Sequence, residues 1–542
     1  MNLEPVHSEA KYVVVGSGPA AIAAAKGIIA QGHKVTILDV GTRLDTQRQE
    51  VVDRMSLETP EAWNPDDVAT ISGNRVATQE AIHSKKVFGS AFSFDSRDAA
   101  VDVRWEKNSG FNHSLARGGL SNVWGSSLLP YCQADIPDWP INLTDLEPHY
   151  RAIMDFMPCT NGTADLEAIL PSYSSQKNSI ELSTQGASLL DDLDRYNRRF
   201  KEDGILYGRA RLAIRASGGE RHRECQYCAL CLSGCPYGLI YSSAHTLQDL
   251  IDAGEVTYLA DHLVEKVDSS DDQVTITGRD LSNGKPFSIR AERLFIGAGV
   301  LPSARIVLNS LQLFDVPVTL LDSQYFIYPL LRLKGTDRVE NERMHTTSQL
   351  FMELSDPSIS RHLVHLQIYG YSSFLHSELN RTFLKWLLHI NAFRRWFLGR
   401  LMIVQGFVHS KDSGTVRLIL RKDASGKIHL SATSNSSRHA LATVLRVGLK
   451  LTKNALKLKA LPLLPGLKFP KPGSGYHNGG TFPMRETPGK LETDTLGRLP
   501  SWPRVHLVDS SVFPSIPATS ITMSVMANAH RIATKACMLD AL

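Results

Sequence analysis

Hydrophobic and polar positions follow two periods along this chain, and the switches between them outline its elements. Residues 11–40, KYVVVGSGPAAIAAAKGIIAQGHKVTILDV, open on the apolar run 12–15, break at a glycine turn, continue as a small-residue helix and close on the β-branched run Val35–Leu38. A short unbroken apolar run is what a parallel strand covered on both faces requires. Residues 41–100 are polar and irregular with weak helical patterning, and a Gly/Ser/Asn loop, RGGLSNVWGSS, follows within 105–131. Residues 138–157 read as a turn and then a helix with Pro148 in its first turn.

Beyond a cysteine loop at 225–238, the segments VTYLADHLVEKV, QVTITGRD and FSIRAERLFIGAG read as a meander of strands returning to the parallel sheet. Residues 316–472 alternate strand-like runs (HLVHLQIYGY, LMIVQGFVHS, TVRLILR) with two basic amphipathic helices. RVHLVDSSVFP reads as strand plus turn, and 519–537 as a helix with Ile521, Val525, Ala529 and Ile532 along one side. A dinucleotide fold begun by the first residues and completed by the last predicts a discontinuous domain, 1–315 with 473–542, into which 316–472 is inserted. The predicted class is α/β: a split Rossmann-like domain with a parallel sheet, plus an inserted α+β substrate domain on an antiparallel sheet.

Composition narrows this only slightly. The 542 residues are 42% hydrophobic, which excludes disordered and collagen-like chains. No run of 18 uninterrupted apolar residues is present, so no membrane-spanning helix is expected. The start, MNLEPVHSEAKYVVV, has neither a basic beginning nor a long apolar run, and predicts no secretory leader. Charge changes the picture more. Between residues 381 and 475 stand 18 Lys and Arg but only two acids, Asp412 and Asp423, a local net of +16 inside a chain whose total is +4.

The turn Gly16-Ser17-Gly18-Pro19-Ala20-Ala21 is the first candidate for chemistry. Gly16 permits the tight bend, Gly18 lets a pyrophosphate approach the backbone, and Ala21 is small enough for helix to pack on strand. The helix start then offers free N–H groups to phosphates, and Asp39, at the end of the second strand, can accept hydrogen bonds from a ribose. The motif leaves FAD and NAD open.

Four of the seven cysteines, Cys225, Cys228, Cys231 and Cys235, fall within eleven residues with the spacing of a bacterial ferredoxin loop. Such crowding points to a site in a reducing, cytosolic setting and away from a disulfide framework. An iron–sulfur cluster, a thiol or disulfide-stiffened loop, and zinc all stay open.

The basic segment carries two apolar stripes at helical spacing. Phe383, Trp386, Leu387, Ile390, Phe393, Phe397 and Leu401 are interleaved with Arg381, Lys385, Arg394, Arg395 and Arg400. Leu445, Leu449, Leu456 and Leu458 alternate with Arg446, Lys450, Lys453, Lys457 and Lys459. Either the stripes pack on the domain's own sheet, or they meet an anionic membrane surface, at the inner face of the membrane, or a lipid-linked anionic substrate. Nucleic acid is not expected, because no recognition motif accompanies the charge.

Three further segments resemble the glucose–methanol–choline (GMC) oxidoreductases, a family of flavoproteins. These are Gly118-Gly119-Leu120-Ser121-Asn122-Val123-Trp124-Gly125, then RLFIGAGVLPSARIVLNS at 293–310, then Tyr476-His477-Asn478-Gly479-Gly480-Thr481 with HLVDSSVFPSIPATSITMSVMANAHRIA. The resemblance covers the two ends and the middle, and implies FAD as the cofactor. It sets Gly118, Gly119, Ser121, Asn122 and Trp124 against the flavin, and Val264, Ala298, Asp509, Ser510 and Thr519 around the rest of the cofactor. A flavin accepting a hydride gains negative charge near N1, and the helix start behind Pro517-Ala518-Thr519-Ser520 suits that charge.

The same resemblance makes His477 the catalytic base that removes a hydroxyl proton as hydride leaves the carbon. Ser520 stands where the family carries a second His or an Asn, which implies a one-base mechanism on His477, or else a FAD-containing lyase or isomerase. A similar cysteine loop occurs in membrane-linked sugar dehydrogenases, where it holds an iron–sulfur cluster, and in long-chain alcohol oxidases. The expected function is therefore oxidation of a C–OH group, on a small or lipid-linked sugar or alcohol, with an acceptor protein or quinone taking the electrons. A non-catalytic redox-sensing flavoprotein is the remaining alternative.

Overall fold

The run 12–15 is enclosed on both faces, and Tyr12, Val13 and Val14 are essentially inaccessible to solvent. In this computed structural model, which describes residues 6–73, 86–94, 101–106, 109–162, 164–217, 224–379 and 385–540, the strand extends over Val6–Val15 at the centre of a seven-stranded sheet. Val35–Leu38 and then Val256–Leu259 lie parallel on one side, and Pro286–Ile296 lies parallel on the other. The outer edge of Pro286–Ile296 is divided. Its first part pairs antiparallel with Val274–Asp280 and, through that strand, with His262–Ser269, which is the predicted meander. Its last part pairs parallel with Val505–Leu507. A strand from the end of the chain thus completes the sheet begun at its start.

The first helix, Pro19–Ile29, and the last, Ile521–Leu539, lie against one another. Their approach depends on Gly27, where a Cβ would come within 2.8 Å of the His530 carbonyl oxygen. The last helix is buried around almost its whole circumference because a third helix, Leu143–Met154, covers its other side. In that third helix Pro148 lies in the interior and not in the first turn. Asp145 sets the start earlier by accepting the Asn142 N–H at 3.0 Å, one half of a capping box. Asp540, just past the last helix, accepts from Arg293 at 2.7 Å and from the Tyr12 hydroxyl at 3.0 Å, clasping the chain's end to the central strands.

A separate antiparallel sheet runs in the order Ala460–Pro462, Tyr325–Arg332, Leu401–Phe407, Val364–Tyr369, Leu350–Leu354, Ile205–Arg209. Parallel and antiparallel layers therefore coexist as the α/β reading expects. The sheets nevertheless share strands across the sequence positions 315 and 473. Ile205–Arg209 supplies an edge of the antiparallel sheet. Conversely, Pro317–Asp322, Thr415–Lys422 and Ile428–Asn435 join Val103–Trp105 and Asn478–Gly479 in a third sheet. That sheet turns Leu320, Val416, Leu418 and Leu420 into the dinucleotide core, against the buried helix Val300–Ser310. Alternation in TVRLILR is thus spent on the first domain's core.

The two basic segments also fold differently from single amphipathic helices. Lys385–Leu388 and Asn391–Leu398 are two short helices, and Leu401 begins a strand; Arg381 and Phe383 lie outside the described residues. Arg438–Lys453 buries Ala440, Val444, Val447 and Leu451 on the antiparallel sheet, where the Tyr328 hydroxyl donates to the Val444 carbonyl at 2.7 Å. Among the described residues no helix is long and apolar enough to cross a membrane.

Candidate functional site

At the carboxyl end of the central strand, Gly16 has φ +97°, and a Cβ there would press to 2.8 Å of the Gly297 carbonyl oxygen. Gly18 is the opposite case: nothing lies within 4 Å of where its Cβ would be. Gly297 itself abuts Ala21, its Cβ position 3.0 Å from the Ala21 Cα. The helix beginning at Pro19 has no side-chain cap and no acid in its first turn, so its leading N–H groups face outward unneutralised. Open space before Gly18, with free N–H groups behind it, is a cradle that fits a dinucleotide's pyrophosphate.

Asp39 stands beside this cradle and is buried. Its Oδ2 accepts from the Ser17 hydroxyl and, at 2.9 Å, from Tyr258. Burial raises its carboxyl to about 6, against the lowering effect of Ser17, Tyr258 and Arg117. Ser17 Oγ also accepts the Gly118 N–H at 2.9 Å, so one serine couples the glycine turn, the acid and the second glycine loop. That loop lies directly on the first, with the Cβ position of Gly119 3.1 Å from the Gly18 Cα.

Within the second loop the predicted side chains hold the loop itself. Ser121 Oγ accepts the Ser243 N–H at 3.0 Å, Asn122 Nδ2 donates to the Arg117 and Gly119 carbonyls at 3.0 and 2.9 Å, and Trp124 Nε1 donates to the Tyr241 carbonyl at 2.8 Å. Ser243, fully buried, donates to the Ser17 carbonyl at 2.8 Å. Val264 lies buried at a bulge in His262–Ser269, and Ala298 sits 3.2 Å from the Cβ position of Gly16.

Asp509 is wholly engaged by the protein. One carboxylate oxygen accepts from the Gly299 N–H at 3.0 Å and from Ser303, and the other accepts from the N–H and hydroxyl of Ser511 at 3.0 and 2.6 Å. It therefore fixes the start of Val300–Ser310 and leaves little of the carboxylate for the cofactor contact that the family resemblance implied. Ser510 donates to the Asn478 carbonyl at 2.6 Å, and Ser520 Oγ accepts the Leu129 N–H at 3.1 Å. Thr519 is buried against the Pro130 carbonyl. Thr519 and Ser520 tie the start of the last helix to the loop at 129–130.

His477 is reached from three sides. Its carbonyl accepts the Ser323 N–H at 2.9 Å, the next residues pair with Leu321 and Asp322, and Gly480 donates to the Ser510 carbonyl at 2.9 Å. Its ring stacks on Phe407 of the antiparallel sheet, with centroids 4.6 Å apart and planes 22° from parallel. Nδ1 is buried with no hydrogen-bond partner. Burial, with a smaller contribution from His365, lowers its pKa to about 3, so the imidazole is a free base.

Beyond Phe407 lies a set of side chains that periodicity did not single out. Tyr369 donates to Gln367 Oε1 at 2.7 Å, Gln367 Nε2 meets His365 Nε2 at 3.2 Å, and His365 Nδ1 meets Glu353 Oε1 at 2.7 Å. An amide nitrogen can only donate, so His365 Nε2 accepts and Nδ1 carries the proton shared with Glu353. Glu353 and His365 are fully enclosed, and Glu353 Oε2 has no partner. These residues alternate with core residues along their strands, which places them on the face opposite the apolar packing of Leu366 and Ile368. A cavity of about 370 Å³ opens at the Arg209 edge of the same sheet; Ser348 on its wall lies beside Tyr369, and none of its lining belongs to the glycine turn or to the His477 segment.

The four loop cysteines are free and partly buried. Burial raises Cys225 to about 11 and Cys228 and Cys235 to about 12, so these thiols are protonated. Among the described residues no three His, Cys, Asp or Glu side chains converge to hold a metal. As folded, the loop gives no support to the iron–sulfur cluster that its spacing and the family resemblance suggested.

No family model and no curated protein sequence matches the chain. Among solved structures, the crystal structure of pyridoxine 4-oxidase from Mesorbium loti superposes with a TM-score of 0.56 at 13% identity, covering 97% of this chain and 98% of that one. Over nearly its whole length, then, the chain is similar in fold to that oxidase.

Proposed function

We propose that the protein is a FAD-dependent oxidoreductase of the GMC type that oxidises a CH–OH group, with His477 as base. The observation that carries this reading is the unpartnered imidazole of His477, held where the dinucleotide fold meets the polar face of the antiparallel sheet. The open cradle at Gly18 and the acid Asp39 support FAD as the cofactor, and the full-length likeness to an oxidase supports the reaction class. FAD, when bound, supplies an acceptor for two electrons as hydride. His477 accepts the hydrogen bond of the substrate hydroxyl and takes its proton as the C–H bond yields the hydride, leaving a carbonyl. The enclosed chain Tyr369–Gln367–His365–Glu353 behind Phe407 gives that side of the sheet a polar backing, which favours a hydroxylated substrate, a sugar or glycoside before a long-chain alcohol.

Anaerobic mixing of the holoprotein with a panel of sugars, glycosides and long-chain alcohols tests the proposal. The expected result is loss of flavin absorbance with formation of one carbonyl per flavin reduced. Fully loaded FAD that no alcohol bleaches would overturn it.

A further inference from the structure

Large apolar side chains are not spread evenly over this surface. Of fourteen that are exposed among the described residues, ten lie between Leu333 and Leu461. Trp386 is 79% exposed, Ile390 55%, Leu449 59% and Leu456 76%, which is far from the burial a stripe packed on its own sheet would give. Arg438–Lys453 carries two separate stripes: one buried, and a second, Leu441, Leu445 and Leu449 at every fourth position, that faces out.

The two helical segments pack on opposite faces of the antiparallel sheet and flank the same end of it. Where the strand Tyr325–Arg332 ends, Arg332 donates to the Arg400 carbonyl at 2.8 Å and Leu333 to the Lys459 carbonyl at 2.8 Å, so both segments flank the exposed Leu333. Cations accompany the apolar groups. Arg394, Lys450 and Lys457 are paired with Glu340, Asp356 and Asp203, but Lys385, Arg395, Arg446, Lys453 and Lys459 make no ion pair among the described residues. A second copy of this chain would bring the same unpaired cations face to face, and so would be repelled. A surface that is negative at its boundary and apolar beneath satisfies both features together.

We infer that this end of the antiparallel sheet docks the protein onto an anionic lipid bilayer, with Trp386, Ile390, Leu449 and Leu456 entering the headgroup boundary and the free lysines and arginines over the anionic headgroups. The docking is peripheral, since none of the described helices can span a membrane. It stands independently of the reaction proposed for His477.

The test is co-sedimentation of the full-length holoprotein with phosphatidylcholine vesicles and with vesicles containing phosphatidylglycerol. Binding is expected at low salt to the anionic vesicles, at least about tenfold over the neutral ones, and weakened by high salt. Trp386→Ser with Leu449→Ser, and separately Arg395→Glu with Arg446→Glu, are expected to reduce it about tenfold while melting temperature and flavin content stay unchanged, because all four side chains are exposed. Absence of binding at low salt overturns the inference, as does binding that both variant pairs leave intact. A concentration-dependent dimer dissolved by Leu449→Glu would also overturn it, assigning this end of the sheet to a second copy.

Discussion

In the proposed reaction position 477 takes the substrate proton, and no neighbour among the described residues claims its buried Nδ1 by a hydrogen bond. Replacing His477 by Ala should leave FAD bound, since no cradle residue depends on that ring, and should slow flavin reduction by substrate about 10²–10⁴-fold, the usual worth of a positioned base. Rapid mixing under anaerobic conditions measures this, and unchanged reduction kinetics would remove the assignment. The two glycines of the turn make a paired prediction. Gly18→Val meets open space at its Cβ, so the fold should survive at near-parental melting temperature while the purified protein loses flavin. Gly16→Val is strained by φ +97° and by the Gly297 carbonyl, and should lower the melting temperature as well. His477 was legible only through its neighbours in the family-like segment, because it is one of 19 histidines. His365 and Glu353 were not legible: a buried acid–histidine pair on a strand leaves no local mark, and only cross-strand register brings the two together.

At the level of elements, legibility followed burial. The parallel strands stood out because both faces are covered, giving unbroken apolar runs, and the last helix because its Ile521, Val525, Ala529 and Ile532 side continued over several turns. Ile205–Arg209 was missed because an edge strand far from its partners in sequence has nothing to alternate against. If FAD binds as proposed, the first and last helices bear on its binding together, since one presents its start to the open space before Gly18 and the other begins beside the loop at 129–130. Gly27→Val should force them apart at the His530 carbonyl, costing roughly 1–3 kcal/mol by overpacking. Chemical denaturation should show that loss, and flavin retention should weaken with it. A variant as stable as the parent would show that the helices need not touch so closely.

Across the whole molecule, buried histidines set the response to acid. Burial lowers His149, His345 and His530 to about 4, and His409, His477 and His506 to about 3. Unfolded, each takes a proton near 6.5; folded, each refuses it until far lower pH. Between those values the unfolded chain holds more protons, so stability rises with pH and falls on acidification. His149 and His530 face each other with Nδ1 atoms 2.9 Å apart, so a proton on one opposes a proton on the other. Four buried carboxyls act in the opposite sense, Asp509 among them, raised by burial. Asp39 and Asp135, raised to about 6, and Asp322, raised to about 7, bind protons more readily when folded and gain stability as pH drops toward the unfolded value near 3.8. Six groups that refuse a proton outweigh four that welcome one throughout the interval from pH 6.5 to 4. The melting temperature should therefore fall steadily from pH 7 to pH 5. His506→Gln should make that decline shallower, because the ring it replaces, stacked on Phe295 with its Nδ1 at 2.8 Å from the Leu496 carbonyl, is one of those that cannot be charged in place. A melting temperature that held level or rose over the same interval would mean that the carboxyls, and not the imidazoles, govern the acid response.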